Sequence, residues 1–198
     1  HARKDSTGIC FIGERPFRDF LGRYLDGTPG PIETAEGRAV GEHAGLMHYT
    51  RGQRHGLAIG GRRDGGTSPW YVADKDLTRN VLVVVQGREH ARLWSSIART
   101  SAPHWLGGEP GAYQATGELY CTAQIRHRHP GAACRVFRLD AEHCELRFAA
   151  PQWAVAPGQY AVFYDEEACL GGAVIESATP LPEAPSHALP EVLHAQSA

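Results

Sequence analysis

The sequence contains little methionine and shows neither a long apolar run nor an export signal. Met47 is the only methionine in 198 residues, and position 1 is a histidine, so the sequence opens without an initiator. No apolar stretch approaches the roughly 18 residues that a membrane-spanning helix requires. No secretory signal precedes the first motifs. These absences lead us to expect a cytoplasmic protein with no membrane partner. We also expect the sequence to be an internal part of a longer chain.

Cysteine is sparse, and its spacing excludes a regular disulfide framework. The five cysteines are odd in number and form no CxxC pair, which favours reduced thiols. Four of them alternate with apolar neighbours and are expected to be small core residues: Cys121, Cys134, Cys144 and Cys169. His127 and His129 have no cysteine or carboxylate at ligand spacing, so we predict no metal site and no bound metal.

Basic residues are absent from the last quarter of the chain. All 20 lysines and arginines lie within residues 1–147, which hold 16 acidic residues, whereas residues 148–198 carry six acids. The basic residues form short groups beside glycine-rich turns, where guanidinium groups and backbone amides can approach phosphates. The alternative is that these basic groups are ordinary solvent-exposed faces with no binding role. The groups are Arg3-Lys4, Arg15-Arg18-Arg23, Arg51-Arg54, Arg62-Arg63 and Arg126-His127-Arg128-His129.

Hydrophobic periodicity predicts a mainly β protein with two domains. One helix is expected over residues 17–25, because Pro16 precedes apolar residues at helical spacing. Elsewhere short apolar runs alternate with turn residues, which indicates small sheets and a barrel. We predict a small α+β domain over residues 1–87, an antiparallel β-barrel over 88–178 and a disordered tail over 179–198. Candidate strands are residues 31–34, 39–42, 70–74, 81–86, 91–98, 112–121, 124–128, 133–139, 144–148, 160–164 and 168–177.

The segment Ser6–Arg15 places a thiol in a setting suited to chemistry. Cys10 lies between apolar neighbours, with Arg3 and Lys4 before it and Arg15 after it. Cationic neighbours raise the thiolate fraction, and the thiolate is the nucleophile. A buried structural cysteine is the alternative that local composition leaves open.

Several blocks of the sequence together resemble one enzyme family. Ser6–Arg15 is similar to the second catalytic-cysteine segment of the bacterial tRNA-specific 2-thiouridylases, the MnmA family. Further similar blocks follow in family order: Gly45–Gly61, Pro69–Asp76, Arg79–Leu82, Pro151–Val155, Pro157–Tyr164 and Cys169–Gly172. Long matches in order are more specific than one short motif. The resemblance implies a central domain followed by a barrel similar to those of translation factors.

The resemblance also implies a function for the intact protein. Family members begin with an ATP pyrophosphatase domain that carries a Ser-Gly-Gly-x-Asp-Ser phosphate loop, which this chain lacks. They use ATP to adenylate the C2 oxygen of the wobble uridine at position 34, and a cysteine persulfide then delivers sulfur. The resemblance assigns the persulfide to Cys10, and it implies a sulfur-relay donor protein, the tRNAs for Lys, Glu and Gln, and a disulfide bond. This chain is expected to be inactive without the ATP-binding domain.

The same resemblance indicates where tRNA binds. The family uses an Arg-Tyr-Arg segment in the barrel, where this chain has Arg126, His127 and Arg128; the histidine puts the stacking role of the tyrosine in doubt. Gln159 matches a family position that touches tRNA, although it could instead be a turn residue. A glycine-rich turn supplies a second candidate contact surface, which on composition alone would be a mobile loop. Its residues are Arg51, Gln53, Arg54 and His55.

Two other classes of function are alternatives to the sulfurtransferase. A stand-alone RNA-binding barrel without catalysis would need no thiol at Cys10, so the intact Ser6–Arg15 segment counts against it. A redox or metal protein is disfavoured because metal-ligand spacing is missing.

Overall fold

The computed structural model describes residues 27–57, 59, 68–126 and 129–182. The predicted helix at 17–25, the Cys10 segment, His127 and Arg128 lie outside these residues, as does most of the predicted tail. The chain divides into two compact units between Val85 and Gln86. Each unit is built on its own sheet and core.

The first unit contains a four-stranded mixed sheet. Its strands are β1 (Gly30–Thr34), β2 (Ala39–His43), β3 (Trp70–Asp76) and β4 (Val81–Gln86). Their order across the sheet is β2-β1-β4-β3, with β1 antiparallel to β2 and parallel to β4. The central strand β4 is almost entirely apolar, as expected for a strand covered on both faces.

A buried histidine, His43, makes two hydrogen bonds at the edge of this unit's core. Ile32, Leu82 and Val84 are fully buried in the core. Beside them, the backbone N–H of Gly45 donates to His43 Nδ1 at 3.1 Å, and His43 Nε2 donates to the Asn80 carbonyl at 3.0 Å. Both ring nitrogens are therefore used in fixing the turn before β4 against the end of β2.

The second unit is a closed antiparallel β-barrel. Its strands are β5 (Trp94–Ser101), β6 (His104–Trp105), β7 (Glu118–Gln124), β8 (Ala132–Arg138), β9 (His143–Trp153), β10 (Tyr160–Asp165) and β11 (Ala168–Pro180). The ring runs β10-β7-β8-β9-β5-β11 and closes through the β10–β11 pairing, while β6 adds to β11. The predicted mainly β fold with an antiparallel barrel is confirmed.

Alternating residues of these strands fill the barrel. Val136, Leu146, Phe163 and Ile175 point inward and are fully buried. Gly171 allows β6 to lie against β11, because a Cβ at that position would collide with the His104 carbonyl oxygen. The barrel is therefore a packed core, and its functional groups must lie on the wall or at the ends.

Three sequence predictions within this unit are wrong. The first part of the predicted strand at 112–121 is instead a short helix, α1 (Gly111–Thr116), and only residues 118–121 are in a strand, the first part of β7. The helix ends at Gly117, which has a φ of 73° and whose N–H donates to the Tyr113 carbonyl at 2.8 Å. Of the predicted strand at 124–128, Gln124 is the last residue of β7, and Ile125 and Arg126 are not in a strand. Cys169 is exposed, whereas Cys134 and Cys144 are buried as predicted.

Candidate nucleic-acid interface

One end of the barrel brings together Arg126 and Gln159, two of the residues that the sequence singles out in this unit. The strands are antiparallel, so β7 and β9 finish at the same end at which β5 and β10 begin. Trp153 at the end of β9 is paired with Trp94 at the start of β5. The pair Val162↔Gln124 places the end of β7, shortly before Arg126, beside the start of β10, which follows Gln159. We call this region the barrel end.

Trp153 organises two arginines at the barrel end. The guanidinium carbon of Arg88 lies 5.1 Å from the centre of the Trp153 ring, and that of Arg126 lies 5.8 Å from it. The Trp153 Nε1–H also donates to the Arg88 carbonyl at 3.2 Å. Both cations are within the distance at which an aromatic ring attracts a guanidinium group. The tryptophan therefore holds two positive charges in place at the rim of the barrel.

His129 lies beside these cations. Its backbone N–H donates to the Arg126 carbonyl at 3.1 Å, and its own carbonyl accepts from Gln124 Nε2 at 2.8 Å. Burial, followed by the charges of Arg126 and Arg88, lowers the pKa of His129 below its usual value. Burial also lowers the pKa of Arg126, which stays protonated at neutral pH because guanidinium groups titrate far above that range. The imidazole is accordingly favoured in its neutral form next to two fixed cations.

Three buried polar atoms at the barrel end have no hydrogen-bond partner within the described residues. They are Nδ1 of His129, Nε1 of Trp94 and Oγ of Ser95. Buried polar atoms without partners are rare in folded proteins. Because these atoms are buried, they do not belong to the cationic surface itself.

Gln159 reaches the same end on a tight turn. Its N–H donates to the Ala156 carbonyl at 3.2 Å across Pro157 and Gly158, and Gly158 has a φ of 82°, as a type II turn requires. The Gln159 carbonyl accepts from the Ile175 N–H at 2.8 Å. The backbone of Gln159 thus has the turn role that the sequence left open, while its side chain is exposed. An exposed amide on a fixed turn can hydrogen-bond to a base or a ribose.

The second predicted surface, in the first unit, has a different character. Arg51 is buried, and burial lowers its pKa while Asp74 opposes that shift. Gln53 Oε1 accepts from the Thr50 N–H at 3.1 Å, and its Nε2 donates to the His55 carbonyl at 2.9 Å. In this turn the side chains of Arg54 and His55 are exposed, while that of Gln53 hydrogen-bonds within the turn itself.

Sequence reasoning missed Arg88 and Trp153. The bond that joins them spans 65 positions in the chain, and neither residue stands in a basic group. The only local signal was Trp153 itself, within the block Pro151–Val155. Cys10, His127 and Arg128 lie outside the described residues, so their assignments stay predictions. Among the described residues no group of three or more metal-ligating side chains occurs, and no helix is long and apolar enough to cross a membrane.

Comparisons with known proteins match nearly the whole chain. Residues 18–86 match the family model described as the tRNA methyl transferase PRC-barrel domain, and residues 95–175 match the aminomethyltransferase beta-barrel domain. Proteins named tRNA-specific 2-thiouridylase MnmA are similar in sequence. That of Yersinia enterocolitica is 54% identical over 91% of this chain and 47% of its own length. That of Escherichia coli O1:K1 is 53% identical over 91% and 48%, and that of Cupriavidus taiwanensis is 54% identical over 88% and 47%. The chain spans about half the length of the curated relatives it matches.

Proposed function

This chain belongs to the tRNA-specific 2-thiouridylase family, whose central and C-terminal domains it carries, and we propose that it is the tRNA-docking and sulfur-relay part of a tRNA-uridine 2-sulfurtransferase. The intact enzyme would replace the C2 oxygen of the wobble uridine with sulfur. The substrate would be tRNA, with the tRNAs for Lys, Glu and Gln as the expected set, and the enzyme would act in the cytoplasm.

The arginine pair on Trp153 is the observation that carries the docking role. Arg88 and Arg126 are held on one aromatic ring at the rim of a packed barrel, with the exposed amide of Gln159 at the same end. Guanidinium groups bind phosphate oxygens through two parallel hydrogen bonds, and prior orientation reduces the entropy lost on binding. An exposed amide beside such a pair suits contact with a sugar or base edge. This combination favours a folded RNA with closely spaced phosphates as the ligand.

Cys10 would carry the sulfur in the relay part. A terminal persulfide sulfur is a strong nucleophile and is itself the atom to be transferred, so one cysteine can both store and deliver it. Arg3, Lys4 or Arg15 would keep the sulfur anionic at neutral pH. A sulfur-relay donor protein would load the persulfide, and a second cysteine elsewhere in the intact enzyme would complete the transfer.

ATP supplies activation of the uracil oxygen in the intact enzyme, but the residues of this chain do not fit an ATP site. The sequence has no phosphate-loop pattern, and the α-helix within the described residues is six residues long and starts at Gly111 behind Pro110. A nucleotide phosphate site of the usual kind needs a glycine-rich loop that leads into a longer helix. We therefore assign no residue of this chain to ATP.

The test is made in cells that lack their own 2-thiouridylase and carry the intact enzyme containing this chain. Cys10→Ala should abolish 2-thiouridine in digested total tRNA, while the protein stays soluble and still binds tRNA. Cys169→Ser is the matched control, because it removes an exposed thiol of the barrel and should leave thiolation unchanged. Normal thiolation in the Cys10→Ala cells would refute the relay role and leave the RNA-binding barrel without catalysis as the function.

A further inference from the structure

Two cysteines face each other inside the barrel wall. Cys121 on β7 is paired directly with Cys134 on β8, and their Sγ atoms are 3.7 Å apart. Both side chains point inward, on the same face as Leu119 and Val136. The inner face of a barrel is concave, so opposed side chains converge there. Neither thiol is in a disulfide in this structure.

The backbone register suits a bond between these two sulfurs. The Arg138 N–H donates to the Gly117 carbonyl at 2.8 Å, which marks Gly117 and Arg138 as a hydrogen-bonded pair. Such pairs recur at every second position of an antiparallel ladder, so Cys121 and Cys134 form one as well. The Cα atoms of a hydrogen-bonded pair are about 5.5 Å apart, which is within the range found for disulfides.

Little movement is required to form the bond. A disulfide has an S–S distance of about 2.05 Å, so each sulfur must move by about 0.8 Å from its present position. Rotation about the Cα–Cβ bonds supplies a displacement of that size without breaking the ladder. The pair is therefore set up geometrically for oxidation.

The two thiols differ in access and in acidity. Cys121 is half-buried, whereas Cys134 is only 5% exposed. A hydrogen bond between the two sulfurs lowers the pKa of Cys121, and the same bond together with burial raises the pKa of Cys134. Cys121, the residue with the larger exposed fraction, thus also has the thiol that ionises more readily, which makes Cys121 the attacking group.

We propose that Cys121 and Cys134 are a redox-active dithiol, which a low-molecular-weight disulfide such as glutathione disulfide converts to a cross-strand disulfide. The Cys121 thiolate attacks one sulfur of glutathione disulfide, forms a mixed disulfide and releases one glutathione thiolate. Cys134 then loses its proton and attacks Cys121 Sγ, which forms the protein disulfide and releases the second glutathione. Two protein thiols are oxidised, and one glutathione disulfide is reduced to two thiols.

The cross-link would close the base of the hairpin that leads to the barrel end. Cys121 and Cys134 are 13 positions apart, and the connection between them contains Arg126 and His129. Beyond the cysteines, the β7–β8 ladder continues for only two more pairs, Thr122↔Ala133 and Ala123↔Ala132. Oxidation would therefore add a covalent tether at the base of the segment that presents Arg126, and reduction would remove that tether. This chemistry is independent of whether the barrel binds tRNA.

The first experiment treats the full 198-residue chain with glutathione disulfide and maps the products by mass spectrometry under non-reducing conditions. We expect a single peptide pair joined through Cys121 and Cys134, reversed by dithiothreitol, with any glutathione carried by Cys10 or by the exposed Cys169 scored separately. A folded chain that keeps both thiols, or a disulfide that joins other cysteines, would overturn the proposal.

Single substitutions test the order of attack. Cys134→Ser should trap one glutathione on Cys121, whereas Cys121→Ser should leave Cys134 unmodified because that thiol is buried. Cys144→Ser is the matched control, since it removes an equally buried thiol whose neighbour at 2.8 Å is the Tyr113 hydroxyl, and it should still form the Cys121–Cys134 bond. Modification of Cys134 in the Cys121→Ser chain, with Cys121 unmodified in the Cys134→Ser chain, would contradict the assigned roles.

Discussion

Replacing Arg126 with alanine should weaken tRNA binding most strongly at low salt. The guanidinium group of Arg126 is held over Trp153 at the barrel end and remains charged at neutral pH. A cation that neutralises a phosphate releases condensed counterions, so its contribution to affinity falls as the salt concentration rises. Removal of the cation should therefore change both the affinity and its dependence on salt.

The size of the effect follows from a single lost phosphate contact. Each contact contributes about 0.7–0.9 to the slope of log affinity against log salt, so Arg126→Ala should reduce that slope by about 0.7–0.9. Between about 50 mM and 200 mM salt, a slope change of this size amounts to a factor of about three. The loss of tRNA affinity in Arg126→Ala, relative to the parent chain, should therefore be about three times larger at about 50 mM salt than at about 200 mM salt.

Fluorescence anisotropy with labelled tRNA over this salt range measures both quantities. Arg126→Lys keeps the charge and should preserve the slope, with a smaller loss of affinity because lysine lacks the planar stacking group. Arg99→Ala is the control, since Arg99 lies on the barrel wall with its Nε 3.5 Å from Glu176 Oε2. Equal slopes for Arg126→Ala and the parent chain, or the same change in Arg99→Ala, would refute a phosphate contact at Arg126. Failure of the parent chain to bind tRNA at low salt would refute the docking role itself.

Two further outcomes are expected at the barrel end. Trp153→Ala removes the ring that holds Arg88 and Arg126. Two cation–π contacts of about 0.5–1 kcal/mol each are lost, so we expect tRNA affinity to fall by about 5–30-fold. Trp153→Phe keeps a ring face and should lose less, and an unchanged dissociation constant for Trp153→Ala would show that the ring does not orient the arginines. The pKa of His129 is lowered in the folded chain, so below its usual value of 6.5 the unfolded chain takes up the proton more readily and stability falls as the pH falls. Urea unfolding at about pH 7.5 and 5.5 should therefore show a smaller acid-induced loss for His129→Gln than for the parent chain, and an equal loss would contradict this.

Strand periodicity predicted the barrel because its signal is local. Inward and outward residues alternate along β8 and β10, and turn residues separate the strands, so sequence alone predicted several strands to within one or two residues. The helix α1 was predicted as a strand for a local reason too. It is only six residues long, and Tyr113 is its one buried side chain, so no helical period could appear. Pro110 before it and Gly117 after it were the available helix signals.

The candidate site was predicted only in part, because its arrangement is not local. Arg126 and Gln159 were found by resemblance, and the barrel register brings both to one end. Trp153 and Arg88 were missed because their contact depends on the pairing of β5 with β9, two strands that are far apart in the sequence. Cys169 was predicted to be buried from its apolar neighbours, but it lies close to the β10–β11 turn and is exposed. The alternation of apolar and polar residues predicts which face of a strand a residue occupies, but it does not predict how close that residue lies to the end of the strand.

Closure of the barrel also bears on how this surface changes during evolution. The registers of β5, β7, β9 and β10 are fixed by ladders and core contacts inside the wall, away from the connections at the barrel end. If the barrel end docks RNA as proposed, insertions or substitutions in those connections can alter the RNA that is bound without shifting a strand by one residue and exposing its apolar side chains. The proposed binding surface is thus free to vary while the same wall continues to fold.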